Sequence, residues 1–253
     1  MSQETDLDQG GPQLTLLEHL LALKDHLVRI AIAIVVSSAA SFVLATRIFE
    51  WLLLPVAGHE DKVSIMANTP TSAISTYVKI AFFSGAILAM PFIVYQVLLY
   101  ILPALTPKEK RTLFWVIPGA TLFFLSGAAF AYFVMIPPSL SFLFRFWSEY
   151  IDQMWTIEEY LTFVTGLVFW VGISFQTPLL MAFVARMGVV TSKQMLSVWQ
   201  FALVIIAVIA ALITPTADPL NMSLVMGPLV VLYFLVILLA RLVQPKHATP
   251  HPA

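Results

Sequence analysis

The sequence has no cysteine and little charge. Lys and Arg number 13 and Asp and Glu 14 among 253 residues, 11% in all, with a net charge of −1. Without cysteine there is no disulfide, no thiolate nucleophile and no Cys-ligated metal. A soluble domain carries roughly a quarter charged residues and about half apolar ones, whereas this chain is 60% hydrophobic with a mean hydropathy of +0.91. That balance excludes an ordinary cytosolic enzyme, a disordered chain and a basic nucleic-acid-binding protein. It leaves a polytopic membrane protein embedded in a lipid bilayer.

Charge is missing from six particular places. Residues 30–46, 80–107, 112–144, 160–185, 194–217 and 219–240 contain no Asp, Glu, Lys or Arg. A helix needs about 20 apolar residues to cross a hydrocarbon core, and a barrel strand would show alternating segments of about ten residues. These runs are continuously apolar, so the expectation is an all-α integral membrane protein with six transmembrane helices. Trimmed at prolines and charges, the helices fall near 27–47, 76–101, 114–136, 160–185, 196–213 and 220–240. The fifth and sixth are expected to be short and to meet at Thr214–Pro219 in a tight hairpin, with local bilayer thinning at the fifth.

Lys and Arg are retained on the cytoplasmic side of a membrane protein. Lys24, Arg29, Lys108, Lys110, Arg111, Arg186, Lys193, Arg241 and Lys246 fall on one side, and Arg47, Lys62, Lys79 and Arg145 on the other. Nine of 13 cations therefore place both termini in the cytoplasm. The first 26 residues are polar and contain acids, with no small-residue cleavage site behind the first apolar run, so that run is expected to stay as an anchor. Residues 1–13 read as a disordered cytoplasmic leader, 14–243 as one six-helix membrane domain and 244–253 as a cytoplasmic tail. The absence of a clear internal repeat speaks against an inverted-repeat transporter.

Catalytic groups are absent in the same way. The five histidines, at 19, 26, 59, 247 and 251, lie outside the expected spans. His247 and His251 are four residues apart but flank prolines in the tail, which argues against a helical metal site. Glu158-Glu159 resembles the paired glutamates of intramembrane CAAX-type proteases, yet Tyr160-Leu161-Thr162-Phe163 follows where an Arg would be needed. An acidic start to the fourth helix, favoured by the helix dipole, is the simpler reading. No Gly-x-Ser-x-Gly turn, phosphate loop or cofactor motif is present, and no enzyme activity is expected.

What polar content the spans do hold is neutral. Gln96 follows Tyr95 after Pro91, whose missing N–H kinks the second helix; Gln176 and Thr177 precede Pro178 in the middle of the fourth. Gln176 and Thr177 can satisfy the carbonyl that Pro178 frees, or serve a contact with another helix, within this chain or in a partner. A charge at that depth would cost about 2.5–3.5 kcal/mol on insertion scales; an amide avoids most of that and still offers two donors and an acceptor. The densest polar feature is Pro103-Ala104-Leu105-Thr106-Pro107-Lys108-Glu109-Lys110-Arg111. Thr106 is placed to cap the third helix and Pro107 to open it. Glu109 among three cations is either internally paired and inert or a binding carboxylate. Upstream, Leu16, Leu20, Leu23 and Leu27 recur at helical spacing, so 14–27 is expected to lie amphipathically along the cytoplasmic interface before turning into the membrane.

Taken together, these segments resemble the TatC family, the polytopic subunit of the twin-arginine protein translocase. The resemblance covers roughly 14–243 in element order. It runs through Glu18-His19-Leu20, Pro55, Asn68-Thr69-Pro70-Thr71 and Met90-Pro91-Phe92-Ile93-Val94-Tyr95-Gln96. It continues through Leu102-Pro103-Ala104-Leu105, Lys108-Glu109-Lys110-Arg111, Gly127–Phe133, Pro137, Gly172–Pro178 and Thr214–Pro219. Pro55, Pro91, Pro103, Pro215 and Asp218 are its structural turns and kinks.

The resemblance implies a receptor that recognises folded precursors by a signal peptide with two consecutive arginines. It further implies a translocation site nucleated from single-span TatA/TatB-type subunits in the cytoplasmic membrane, self-association, and drive by the proton-motive force. Of the two cytoplasmic glutamates the family uses on the arginine pair, one matches Glu109, with Lys108, Arg111 and Lys24 beside it. The other is replaced by Ala22 in Ala22-Leu23-Lys24, and Glu18, four residues earlier on the same face, is its candidate substitute. Gln176 stands where the family often has Glu, Phe234 follows Tyr233 where a Glu is common, and Ser72 replaces an external Glu. Two other readings compete. The missing glutamate would suit a non-exporting scaffold paralogue, and a small-solute transporter is disfavoured because no charge lies at mid-span to couple an ion.

Overall fold

The computed structural model describes residues 16–57, 69–101, 107–146, 155–186, 188–214 and 218–243, of which 16–19, 101 and 107–117 by backbone alone. The expected leader and tail, Pro103 and Pro215 lie outside the described residues. Among the described residues every regular element is helical: α1 (Leu16–Leu53), α2 (Ser72–Ile101), α3 (Pro107–Phe130), a π-helical turn (Ala131–Met135), α4 (Ile136–Arg145), α5 (Ile157–Ser174), α6 (Thr177–Arg186), α7 (Ser192–Ser197), α8 (Trp199–Ile213) and α9 (Pro219–Val243). These make six apolar rods. Five are long enough to cross a membrane, and α8, with 15 residues, is shorter.

Three details depart from the sequence expectation. The segment 14–27 does not turn at the interface: from Leu16 it continues straight into the first span as one helix of 38 residues. No Gly or Pro occurs between residues 13 and 54, so nothing interrupts the hydrogen-bond ladder until Pro55. At 1.5 Å per residue the helix is about 57 Å long, nearly twice a hydrocarbon core. The third span does not stop before Pro137. A π turn intervenes, and Pro137 and Pro138 then fall in the first turn of α4, where a missing N–H costs nothing. Shortness belongs to the fifth span alone, because α9 has 25 residues. The 15 residues of α8 rise only about 22 Å.

Packing is organised around α5. Tyr160, Leu161, Val164, Leu167 and Val171 form a buried row against Met135, Ile136 and Leu140 of the third span, Ile80 of α2, Ile206 and Ala210 of α8 and Val225 and Leu229 of α9. A smaller cluster joins Val94 and Leu98 of α2 to Ala120 of α3 and Phe183 of α6. Close approach depends on missing side chains, as expected where lipid supplies no hydrophobic drive between helices. A Cβ on Gly85 would sit 2.4 Å from the Ser38 backbone, and one on Gly172 would sit 2.6 Å from the Phe124 ring.

Candidate functional site

The helix termini explain how the ends of the bundle are built. Pro55 closes α1 through a turn in which Val56 N–H and Ala57 N–H donate to the Leu53 carbonyl at 3.0 and 3.2 Å. At this helix end the Trp51 carbonyl accepts from Leu54 N–H at 3.2 Å and also from Tyr132 Oη, and the Leu52 carbonyl accepts from Tyr160 Oη at 2.6 Å. Thr156 and Glu159 form a reciprocal capping box on α5, while Glu158 accepts from Ser75 Oγ of α2 at 2.6 Å. The two glutamates thus cap and brace this end of the bundle. Buried Ser72 accepts from Thr69 N–H at 3.2 Å. Between α1, α2 and α5 an apolar cavity of about 440 Å³ opens beside Phe49, Leu53, Thr76, Tyr77 and Ile157. Asp218 starts α9: its Oδ1 accepts from Asn221 N–H at 2.7 Å, and Pro219 opens the helix.

The opposite, cation-rich end carries the expected recognition residues. α1 and α2 run antiparallel, with Tyr77 Oη donating to the Phe42 carbonyl at 2.7 Å, Gly85 against Ser38, and His26 Nδ1 2.6 Å from Gln96 Oε1. The start of α1 therefore lies beside the end of α2, and only residues 102–106 separate α2 from the first turn of α3. Glu18 and Lys24 on α1 and Lys108, Glu109 and Arg111 on α3 share one end of the molecule. Lys24 is exposed; the side chains of the other four lie outside the described residues.

The three polar positions within the spans separate. Gln96 is buried and committed to His26. Gln176, also buried, sits in the break between α5 and α6 and turns its amide toward α2, Nε2 lying 3.8 Å from Met90 Sδ. Its side chain thus bridges two helices. Pro91, directly after Met90, sits inside α2. Thr177 opens α6 and is exposed. Among the described residues no group of three or more His, Asp or Glu could hold a metal.

The model of one protein family, Sec-independent protein translocase protein (TatC), matches residues 18–228. The chain belongs to the TatC family. A TatC from Synechocystis is 33% identical over 88% of this chain and 86% of its own length. The chloroplast TATC of Arabidopsis thaliana is 31% identical over 87% of this chain and 64% of its own. A solved structure described as the twin-arginine translocase receptor TatC superposes with a TM-score of 0.80 at 34% identity, covering 89% of this chain and 99% of that one. As a TatC protein, the chain is a multi-pass membrane component of the Sec-independent twin-arginine translocase and not an enzyme.

His26 and the span tyrosines are what sequence reasoning missed. The sequence placed His26 at the end of an interfacial amphipathic helix over 14–27, although the absence of Gly and Pro from 13 to 54 could have joined that helix to the first span and turned His26 toward α2. The tyrosines carried a general signal: a buried phenol needs an acceptor.

Proposed function

We propose that this chain is the core receptor of the translocase, binding twin-arginine signal peptides of folded precursors at the cytoplasmic face of the cytoplasmic membrane. The observation that supports this reading is that the start of α1 and the first turn of α3, which carry Glu18 and Glu109, share the cation-rich end of the bundle. A carboxylate binds a guanidinium bidentately, in a charge-assisted pair roughly twice as strong as a neutral hydrogen bond. Glu109 takes one arginine and Glu18 the other. Lys24, Lys108 and Arg111 flank the two carboxylates in the sequence. The signal peptide's apolar segment then lies along the bundle. Thr177, exposed at the start of α6, serves contacts with single-span TatA/TatB-type helices, which assemble the translocation site with further copies of this chain under the proton-motive force; Gln176, buried against Met90, is spent on contacts within the chain.

Photo-crosslinking of a twin-arginine peptide to the full-length protein in membranes tests the site. Glu109→Gln removes the charge and keeps the shape, and the expected loss of crosslinking is about tenfold at unchanged protein level, from a charge-assisted bond of about 1.5–3 kcal/mol. Unchanged crosslinking overturns the assignment of Glu109. If deleting the gene strands no twin-arginine precursor, the chain is a scaffold and not a receptor.

A further inference from the structure

His26 and Gln96 lie 70 residues apart in sequence, and the 2.6 Å contact between them joins the cytoplasmic ends of α1 and α2. The imidazole also meets the edge of Tyr100, with ring centroids 6.1 Å apart and planes at 67°. Gln96 is 4% exposed, so its amide depends on this partner instead of water. On one side of the contact, His26 stands two helical turns past Glu18 in an unbroken helix. On the other, Gln96 stands within two turns of the end of α2, just before the segment leading to Lys108 and Glu109. The outward face of α1 is bare, with Leu20, Leu21, Leu27, Val28 and Ile32 all exposed, so this end of the helix is held through the one face that packs along α2, and His26 lies on that face.

We propose that His26 and Gln96 are positioning residues for signal-peptide recognition, a tie that sets the distance between the carboxylate of α1 and that of the α3 first turn. The inference rests on the receptor reading above. With Nδ1 carrying a proton the imidazole donates to the Gln96 amide oxygen. Any side chain that can reach Gln96 with a donor should serve, and an apolar side chain of similar size should not.

The experiment uses the full-length chain in lipid nanodiscs with spin labels at Leu20 and Thr112, in wild type and in His26→Leu, Gln96→Leu, His26→Gln and the exchanged pair His26→Gln with Gln96→His. The label distance is narrow in wild type, broadened in both leucine variants, and narrow again in His26→Gln and the exchanged pair. Affinity for a twin-arginine peptide falls about fivefold in the leucine variants, the size of one net hydrogen bond, and recovers in the other two. Label distances that stay narrow in the leucine variants overturn the tie. Broadened distances with unchanged peptide affinity also overturn it as a positioning device for recognition. A wild-type chain that binds no twin-arginine peptide overturns the receptor reading, and the label distances then still decide whether the tie exists.

Discussion

The helices α1 and α5 are both long and apolar, but they meet opposite surroundings. Of the described side chains of α1 only Ser41 and Ala45 are buried, while Val43 is 84% exposed. On α5, Tyr160, Leu161, Phe163, Val164, Thr165, Leu167, Val171 and Gly172 are all buried. In water such a difference would follow from hydrophobicity. In lipid the tails are as apolar as leucine, so hydrophobicity holds a helix in the bilayer without choosing its neighbours. The choice is made by shape and by polar contacts. α5 is central because Gly172 admits the Phe124 ring and Tyr160 reaches across to α1; α1 lies at the edge, packed along α2 through one face, with polar ties at Phe42, Leu52 and His26.

The comparison breaks most sharply at Gly172. Gly172→Val drives a side chain into Phe124, which is 1% exposed and has no room to yield. The expected destabilisation is about 3 kcal/mol, the upper range for overpacking, seen as a lowered thermal midpoint in nanodiscs. Phe124→Leu in the same chain should restore part of it. A smaller effect is expected at the join between the two helices. Tyr160→Phe leaves the Leu52 carbonyl without its phenol donor, at a cost of about 1–2 kcal/mol. Hydrogen exchange should rise at the last turn of α1 and not in the middle of α5; a uniform rise would show that the phenol serves the core and not the tie. The smallest effect belongs to the lipid face, where Val43→Ala should shift stability by less than about 0.5 kcal/mol. A large loss there would reveal a contact with another protein on α1.

Legibility followed locality. The apolar rods and the turn at Asp218 before the last of them depend on residues within a few positions of one another and could be read from the chain; the first helix, expected to end near 47, runs to Leu53, and the fourth, expected to be continuous over 160–185, is interrupted between Ser174 and Thr177. Pro137 misled because a proline ends a helix only when its N–H is required, and the π turn before it removed that requirement. The proposed recognition residues could be named from their motif, Lys108-Glu109-Lys110-Arg111, and their shared end from the distribution of cations; the contact of His26 with Gln96 beside them could not.

By itself the sequence determined that this chain lives in a membrane, how many times it crosses and which end carries the cations. Those properties are sums of transfer free energies over contiguous residues and of charge retained on one side. Only the tertiary structure decided which helix is central, which glycine admits which ring, and that His26 belongs to Gln96. Between rods of nearly uniform hydrophobicity, pairing rests on a few glycines, tyrosines and amides whose partners lie 35 to 108 residues away, and spacing along the chain carries no record of them.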